Sequence, residues 1–209
     1  VQNAKREGEA ELRLSEVYWN WSRGHGSAST LDLHELPPTL FAELAPLRRE
    51  HAFEALSFHA AKLTTLPDEL ARTRRWLKGL CLSFNPLEEL PAVILRCTNL
   101  EELRLAGTQL RDIPEEIAAL KKLRKLDLGN GRKMISIPAS VCALDTVEEL
   151  RISNGSIRTI PAAIAGMKSL RVLEMRSTRV RKLPASLGEL PNLKVINMQL
   201  CDGLTKAQV

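Results

Sequence analysis

Two stretches of this chain, "LEELRLAGTQLRDIPEEIAAL" from Leu100 and "VEELRISNGSIRTIPAAIAGM" from Val147, place apolar residues in the same slots and a proline at the same offset, Pro114 and Pro161. Aligning on the opening apolar residue gives units that begin at Phe53, Leu77, Leu100, Leu123, Val147, Leu170 and Leu193. Their spacings are 24, 23, 23, 24, 23 and 23 residues. A repeat of this length marks a stack of small units, none of which can bury its apolar face alone.

The shared pattern is LxxLxLxxTxLxxLPxxIxxLxx. In its "LxLxx" stretch the period is two, the spacing of a strand. Leu103 and Leu105 therefore point inward, and Glu102, Arg104 and Ala106 point out. The proline presets its own φ and offers no N–H to a sheet, so it opens a return segment. There "PEEIAAL" spaces Ile117 and Leu120 three apart, as in a short helical turn. Strands stack about 4.8 Å apart, and the bulkier return segments need more room. The expectation is an α/β repeat solenoid, curved, with parallel strands on its concave face and short helices or turns on its convex face. The unit at Leu123 gains a residue in "GNGRK", which reads as a widened turn rather than a phosphate cradle.

Over about residues 53–204 the chain resembles leucine-rich-repeat proteins, in the 23-residue "LPxxI" style of plant-type or Ras-group repeats. It is also similar to the repeat regions of type III effectors of plant-pathogenic bacteria, including those with a ubiquitin-ligase domain elsewhere in the chain. The resemblance implies a non-catalytic scaffold that binds a protein, such as a host protein, on its strand face. The alternative it implies is the targeting module of a larger effector, secreted into the host cell cytoplasm. The slot that such repeats usually fill with Asn holds Ala61, Asn85, Thr108, Gly131, Gly155, Thr178 and Cys201, so looser turns are expected at the glycine and alanine units.

Residues 1–52 read as an N-terminal helical cap with a partial repeat, and 53–209 as the array, its last unit incomplete. One helix is expected over 4–22 and a second with Leu40, Leu44 and Leu47 inward. The last unit stops after its strand and leaves Leu193, Ile196 and Met198 uncovered. Either further chain after Val209 or another subunit is expected there, and otherwise a monomer. Aromatic residues are only 4% of the chain, so aliphatic side chains must fill the core. No apolar run approaches the roughly 20 residues of a membrane span. The four cysteines are scattered without a CxxC pair, which favours an intracellular reducing compartment.

No Walker loop, GxGxxG, HExxH or GxSxG occurs. Cofactors, metals and a small-molecule substrate are therefore not expected, and Cys201–Asp202 reads as a turn slot rather than a nucleophile site. The formal net charge is +5, but residues 1–52 are net acidic. The surplus is spread among carboxylates, unlike the concentrated stripe of a nucleic-acid or membrane binder.

Function belongs in the outward positions, because the apolar slots are dictated by stacking. From the third full unit these positions form a chequerboard of Glu102, Arg104, Lys125, Asp127, Glu149, Arg151, Glu174 and Arg176, beside small residues Ala106, Gly129 and Ser153 that would leave room for a partner. Opposite charges on neighbouring strands could equally neutralise one another. A second candidate is a basic edge near each proline, formed by Arg111, Arg132, Lys133, Arg158, Arg179, Arg181 and Lys182.

Overall fold

The structure, a computed structural model, describes residues 30–32, 41, 44, 48, 53–201, 203 and 204. One parallel sheet of eight strands runs through it in chain order. The strands are β1 (Thr30–Asp32), β2 (Ala55–Ser57), β3 (Gly79–Cys81), β4 (Glu102–Arg104), β5 (Lys125–Asp127), β6 (Glu149–Arg151), β7 (Val172–Glu174) and β8 (Val195–Asn197). The repeat frame sets the register without slippage. Leu56, Leu80, Leu103, Leu126, Leu150, Leu173 and Ile196 align as one row. From Leu56 to Leu173 this row is fully buried, and each such leucine contributes about 1.5–3 kcal/mol. β1 extends the array into the region read as holding only part of a repeat. The expected helix over 4–22, with Leu40 and Leu47, lies outside the described residues. Phe41 and Leu44 are helical and join the core.

Each proline opens its return segment through the same bond. The amide three residues on donates to the proline carbonyl in six successive units, at 3.0–3.1 Å from Leu70, Ile94, Ile117, Val141, Ile164 and Leu187. Five of these segments are 3₁₀ turns, and only Ala139–Cys142 is α-helical. With three residues per turn, Ile117 and Leu120 fall on one side, and both are fully buried. A tight return segment bridges one coil to the next in few residues, and the solenoid curves with its strands on the concave side.

After each strand the chain turns through a left-handed residue, φ 54–70° at Ala60, Phe84, Gly107, Asn130, Asn154, Ser177 and Leu200. Only one of the seven is glycine, so most units accept a strained conformation at this corner. The polar slot follows directly. Asn85 is 1% exposed. Its Oδ1 accepts from the Leu63 amide at 2.9 Å, and its Nδ2 donates to the Phe58 and Leu82 carbonyls at 2.7 and 2.9 Å. Thr108 donates to Leu105 O at 2.8 Å, and the Cys201 thiol to Met175 O at 3.0 Å. The glycine turns are not left open, contrary to expectation: the Ser156 amide donates to Gly131 O at 2.8 Å. A Cβ on Gly155 would stand 3.2 Å from that oxygen, so paired glycines let the two backbones approach.

At the last described coil Leu193, Ile196 and Met198 are half-buried, while Val195 and Leu200 are 47% and 62% exposed. Among the described residues β8 pairs only with β7.

Candidate binding wall and lateral edge

Parallel register carries the outward side chains into rows. One row reads Glu102, Lys125, Glu149, Val172 and Val195, and the next reads Arg104, Asp127, Arg151, Glu174 and Asn197. The chequerboard read from the sequence is thus a contiguous patch, and a shallow depression lies over β4–β6 with Glu102, Arg104, Lys125, Asp127, Glu149 and Arg151 on its walls.

Within the patch the charges are not alike. Arg104 Nε donates to Glu102 Oε1 at 2.5 Å and Arg151 Nε to Glu149 Oε1 at 2.6 Å, both along a single strand. Burial disfavours charge on Arg104, but the attraction and hydrogen bond of Glu102 outweigh it and raise its pKa. Asp127 Oδ1 accepts from the Gly129 amide at 2.9 Å. Burial raises the Asp127 pKa despite that bond and the fields of Arg151 and Arg104. Lys125, Glu174 and Arg176 make no ion pair among the described residues. They are the charges a partner could take without breaking a pair already made.

One expectation needs correction. Ala106 and Gly129 do not hold space open, since both are buried. A Cβ on Gly129 would sit 2.9 Å from Ser153 O and 3.1 Å from Asp127 Oδ1, so its size serves packing of the corner. A column one residue before the strands carries several charge pairs between neighbouring coils. There Lys78 meets Glu54 at 2.8 Å, and Glu148 meets Arg124 at 2.5 Å and Arg171 at 3.6 Å. These pairs lie at the rim of the strand face and link successive coils, weakly because they are solvent-screened.

The basic edge is also assembled. The Arg158 amide donates to Ile135 O at 2.8 Å, the Arg179 amide to Ile157 O at 3.0 Å, and Ser136 bridges Thr159 in parallel. Arg111, Arg132, Arg158, Arg179, Arg181 and Lys182 are exposed, whereas Lys133 is half-buried and paired with Glu88 at 3.0 Å. Lys133 pulls the Glu88 carboxyl below its ordinary pKa by hydrogen bond and charge.

Two exposed apolar residues escaped the sequence reading. Ile135, 60% exposed, sits among the arginines of the edge, and Phe84, 51% exposed, sits on the rim of the strand face. Phe84 leans on His59, ring centroids 5.1 Å apart, and covers Gly107, where a Cβ would meet the ring at 2.6 Å. The signal was present in the repeat alignment, because Phe84 holds a corner that five other units give to Ala, Gly, Asn or Ser. His59 itself is exposed.

Among the described residues no group of three or more His, Cys, Asp or Glu could hold a metal ion. All four cysteines are free. Cys97 is fully buried, Cys81 is half-buried on the strand face, and Cys201 fills its turn slot 3.3 Å from the Thr178 hydroxyl. No described helix is long and apolar enough to cross a membrane.

The sequence model of the family described as Leucine-rich repeat region matches residues 93–208, more than half of the chain. None of the curated proteins compared matches. Among solved structures, a leucine-rich-repeat protein of Leptospira interrogans is 34% identical with a TM-score of 0.66, over 71% of this chain and 37% of that one. The leucine-rich repeat domain of the type III effector XopL is 26% identical, also with a TM-score of 0.66, over 78% of this chain and 57% of that one. The plant peptide hormone receptor RGFR1, in complex with RGF2, is 25% identical with a TM-score of 0.51, over 78% of this chain and 30% of that one. This chain therefore spans well under two thirds of each of those chains. With its parallel strands stacked in register and its prolines opening every return segment, the chain belongs to the leucine-rich-repeat family.

Proposed function

We propose that this array is a non-catalytic scaffold of the 23-residue plant-type kind that recognises a protein or peptide segment on its concave strand face, and that it works in a reducing compartment inside cells. One observation carries the reading: Lys125, Glu174 and Arg176 lie on the same wall as two internally paired Glu–Arg couples and make no ion pair of their own among the described residues. A partner with complementary charge finds there three groups whose pairing costs no existing bond. Arginine adds bidentate geometry for a carboxylate, and charge complementarity sets specificity and register. The peptide complex of RGFR1 supports a peptide or protein as the class of partner.

The experiment is affinity capture with the native chain and with the Lys125→Glu/Glu174→Lys/Arg176→Glu variant, after circular dichroism shows both folded. Proteins retained only by the native chain support recognition on the wall. Equal retention by both would remove it.

A second reading is favoured by the likeness to the XopL repeat domain. In it the array selects substrates for ubiquitin transfer by a domain elsewhere in a longer bacterial effector, acting in the host cytoplasm. It requires that a captured partner become ubiquitylated when the protein containing this array is supplied with ubiquitin and its activating enzymes. An unmodified partner under those conditions sinks the second reading and leaves the first intact.

A further inference from the structure

The lateral edge has a composition that the strand wall does not explain. Its side chains come from the segments just before the prolines, and those segments are joined coil to coil by the Arg158–Ile135 and Arg179–Ile157 backbone bonds. The edge is polarised. Toward the amino terminus it carries Glu88, Glu89 and Asp112, with Arg111 beside Asp112 and Lys133 paired to Glu88. Toward the carboxyl terminus it carries Arg132, Arg158, Arg179, Arg181 and Lys182, all exposed and none with a carboxylate partner among the described residues. Unlike the column before the strands, where Glu148 serves both Arg124 and Arg171, no acidic residue is interleaved in this half. Like charges crowded on adjacent coils repel one another, and nothing in the stack requires them, since the positions are solvent-facing.

In the row before the prolines Ile135 stands between Arg111 and Arg158, 60% exposed on the unit that carries the extra residue. Its neighbour one residue earlier, Met134, is only 4% exposed and fills the core slot. The Ile135 side chain thus stands out from the stack as an apolar button beside Arg111, Arg132 and Arg158.

We propose that this edge is a second docking surface, separate from the strand wall, for an extended acidic protein segment that places one aliphatic side chain on Ile135. Charge complementarity selects the acidic partner. The apolar centre selects protein over nucleic acid, because a phosphate backbone presents no aliphatic group. Three coils at about 5 Å spacing span about 10–15 Å, the length of roughly three to five extended residues at about 3.3 Å each. The acidic end of the edge then repels the remainder of such a segment and orients it toward the carboxyl terminus.

The test uses the whole 209-residue chain and a fluorescein-labelled peptide of roughly eight residues, alternating Asp and Glu around one central leucine, read by anisotropy. The comparison probes are a peptide with Asn and Gln in place of the acids, an acidic peptide with serine in place of leucine, a single-stranded oligonucleotide and phosphatidylserine vesicles. Arg158→Glu/Arg181→Glu is expected to weaken the leucine peptide about tenfold or more, as loss of two charge-assisted contacts implies. Arg72→Glu/Arg75→Glu, which changes net charge equally on other exposed positions, is expected to alter it by no more than about twofold. Ile135→Ser is expected to erase the preference for leucine over serine. Equal weakening by the two charge pairs overturns the proposal, because binding would then follow net charge alone. Tighter, edge-dependent binding of the oligonucleotide or the vesicles overturns it in favour of a phosphate surface.

Discussion

Asn85 offers the most direct test of how the coils are held together. Replacing it with alanine removes the bonds to the Leu63 amide and to the Phe58 and Leu82 carbonyls, and a longer one to Ser83 O, from a side chain that is 1% exposed. Each buried bond contributes about 1 kcal/mol net, and a buried group left without its partner costs about 1–3 kcal/mol. Leu63 is half-exposed, so water can serve its amide in part, whereas the Phe58 and Leu82 carbonyls sit deeper. The expected loss for Asn85→Ala is therefore about 2–4 kcal/mol. With a urea m-value of about 2 kcal/mol/M, the unfolding midpoint should fall by about 1–2 M. Asn85→Asp separates hydrogen bonding from volume. The introduced carboxylate keeps an acceptor for Leu63 but faces two carbonyl oxygens, so burial and those oxygens raise its pKa above the unfolded value near 3.9. A raised folded pKa means that the variant is most stable below the unfolded pKa and loses stability as pH rises through the folded one. A loss below about 0.5 kcal/mol for Asn85→Ala, or an Asn85→Asp variant whose deficit does not grow from pH 4 to 7, would refute the view that this amide ties the coils.

Other outcomes follow from the same geometry. Gly107→Val should cost about 2 kcal/mol or more in chemical denaturation, because the position needs φ +70° and the Phe84 ring occupies the space of a Cβ; a neutral result would mean the ring moves freely. Leu126→Ala should lose about 2–5 kcal/mol, and Ile196→Ala clearly less, since Leu126 is 1% exposed and Ile196 half-buried; equal losses would show the last coil covered in solution. Carbon NMR should place the Asp127 carboxyl above an ordinary aspartate, so stability falls as pH rises from the unfolded pKa of about 3.9 through the folded one, and Asp127→Asn should flatten that part of the stability profile. A thiol reagent at pH 8 should modify Cys81 first and leave Cys142 unreacted in the native state, because burial pushes the Cys142 thiol up to about 11; simultaneous reaction of both would contradict the packing.

What the sequence determined by itself was the repeat and everything that the repeat compels. A Leu row every 23 or 24 residues, a proline at a constant offset and a polar slot after each strand have one efficient stacking, so register and inward faces were legible in advance. Leu103 and Ile117 lie where the pattern put them. The strand at Thr30–Asp32 was harder to see, because it stands 25 residues before Ala55 in a unit with a doubled proline. The membership of the charged wall was also legible, since outward positions follow from strand period. The pairing of its charges was not. Whether Arg104 turns along its strand to Glu102 or across to Asp127 depends on rotamers and burial, and periodicity carries no information about either. The same limit hid the burial of Ala106 and Gly129, because a small residue on an outward position can be roofed by its neighbours. It hid Ile135 and Phe84 as well. Both occupy positions whose spacing says only that they face solvent, and the company they keep, arginines around one and His59 beside the other, arises where coils distant in sequence meet in space.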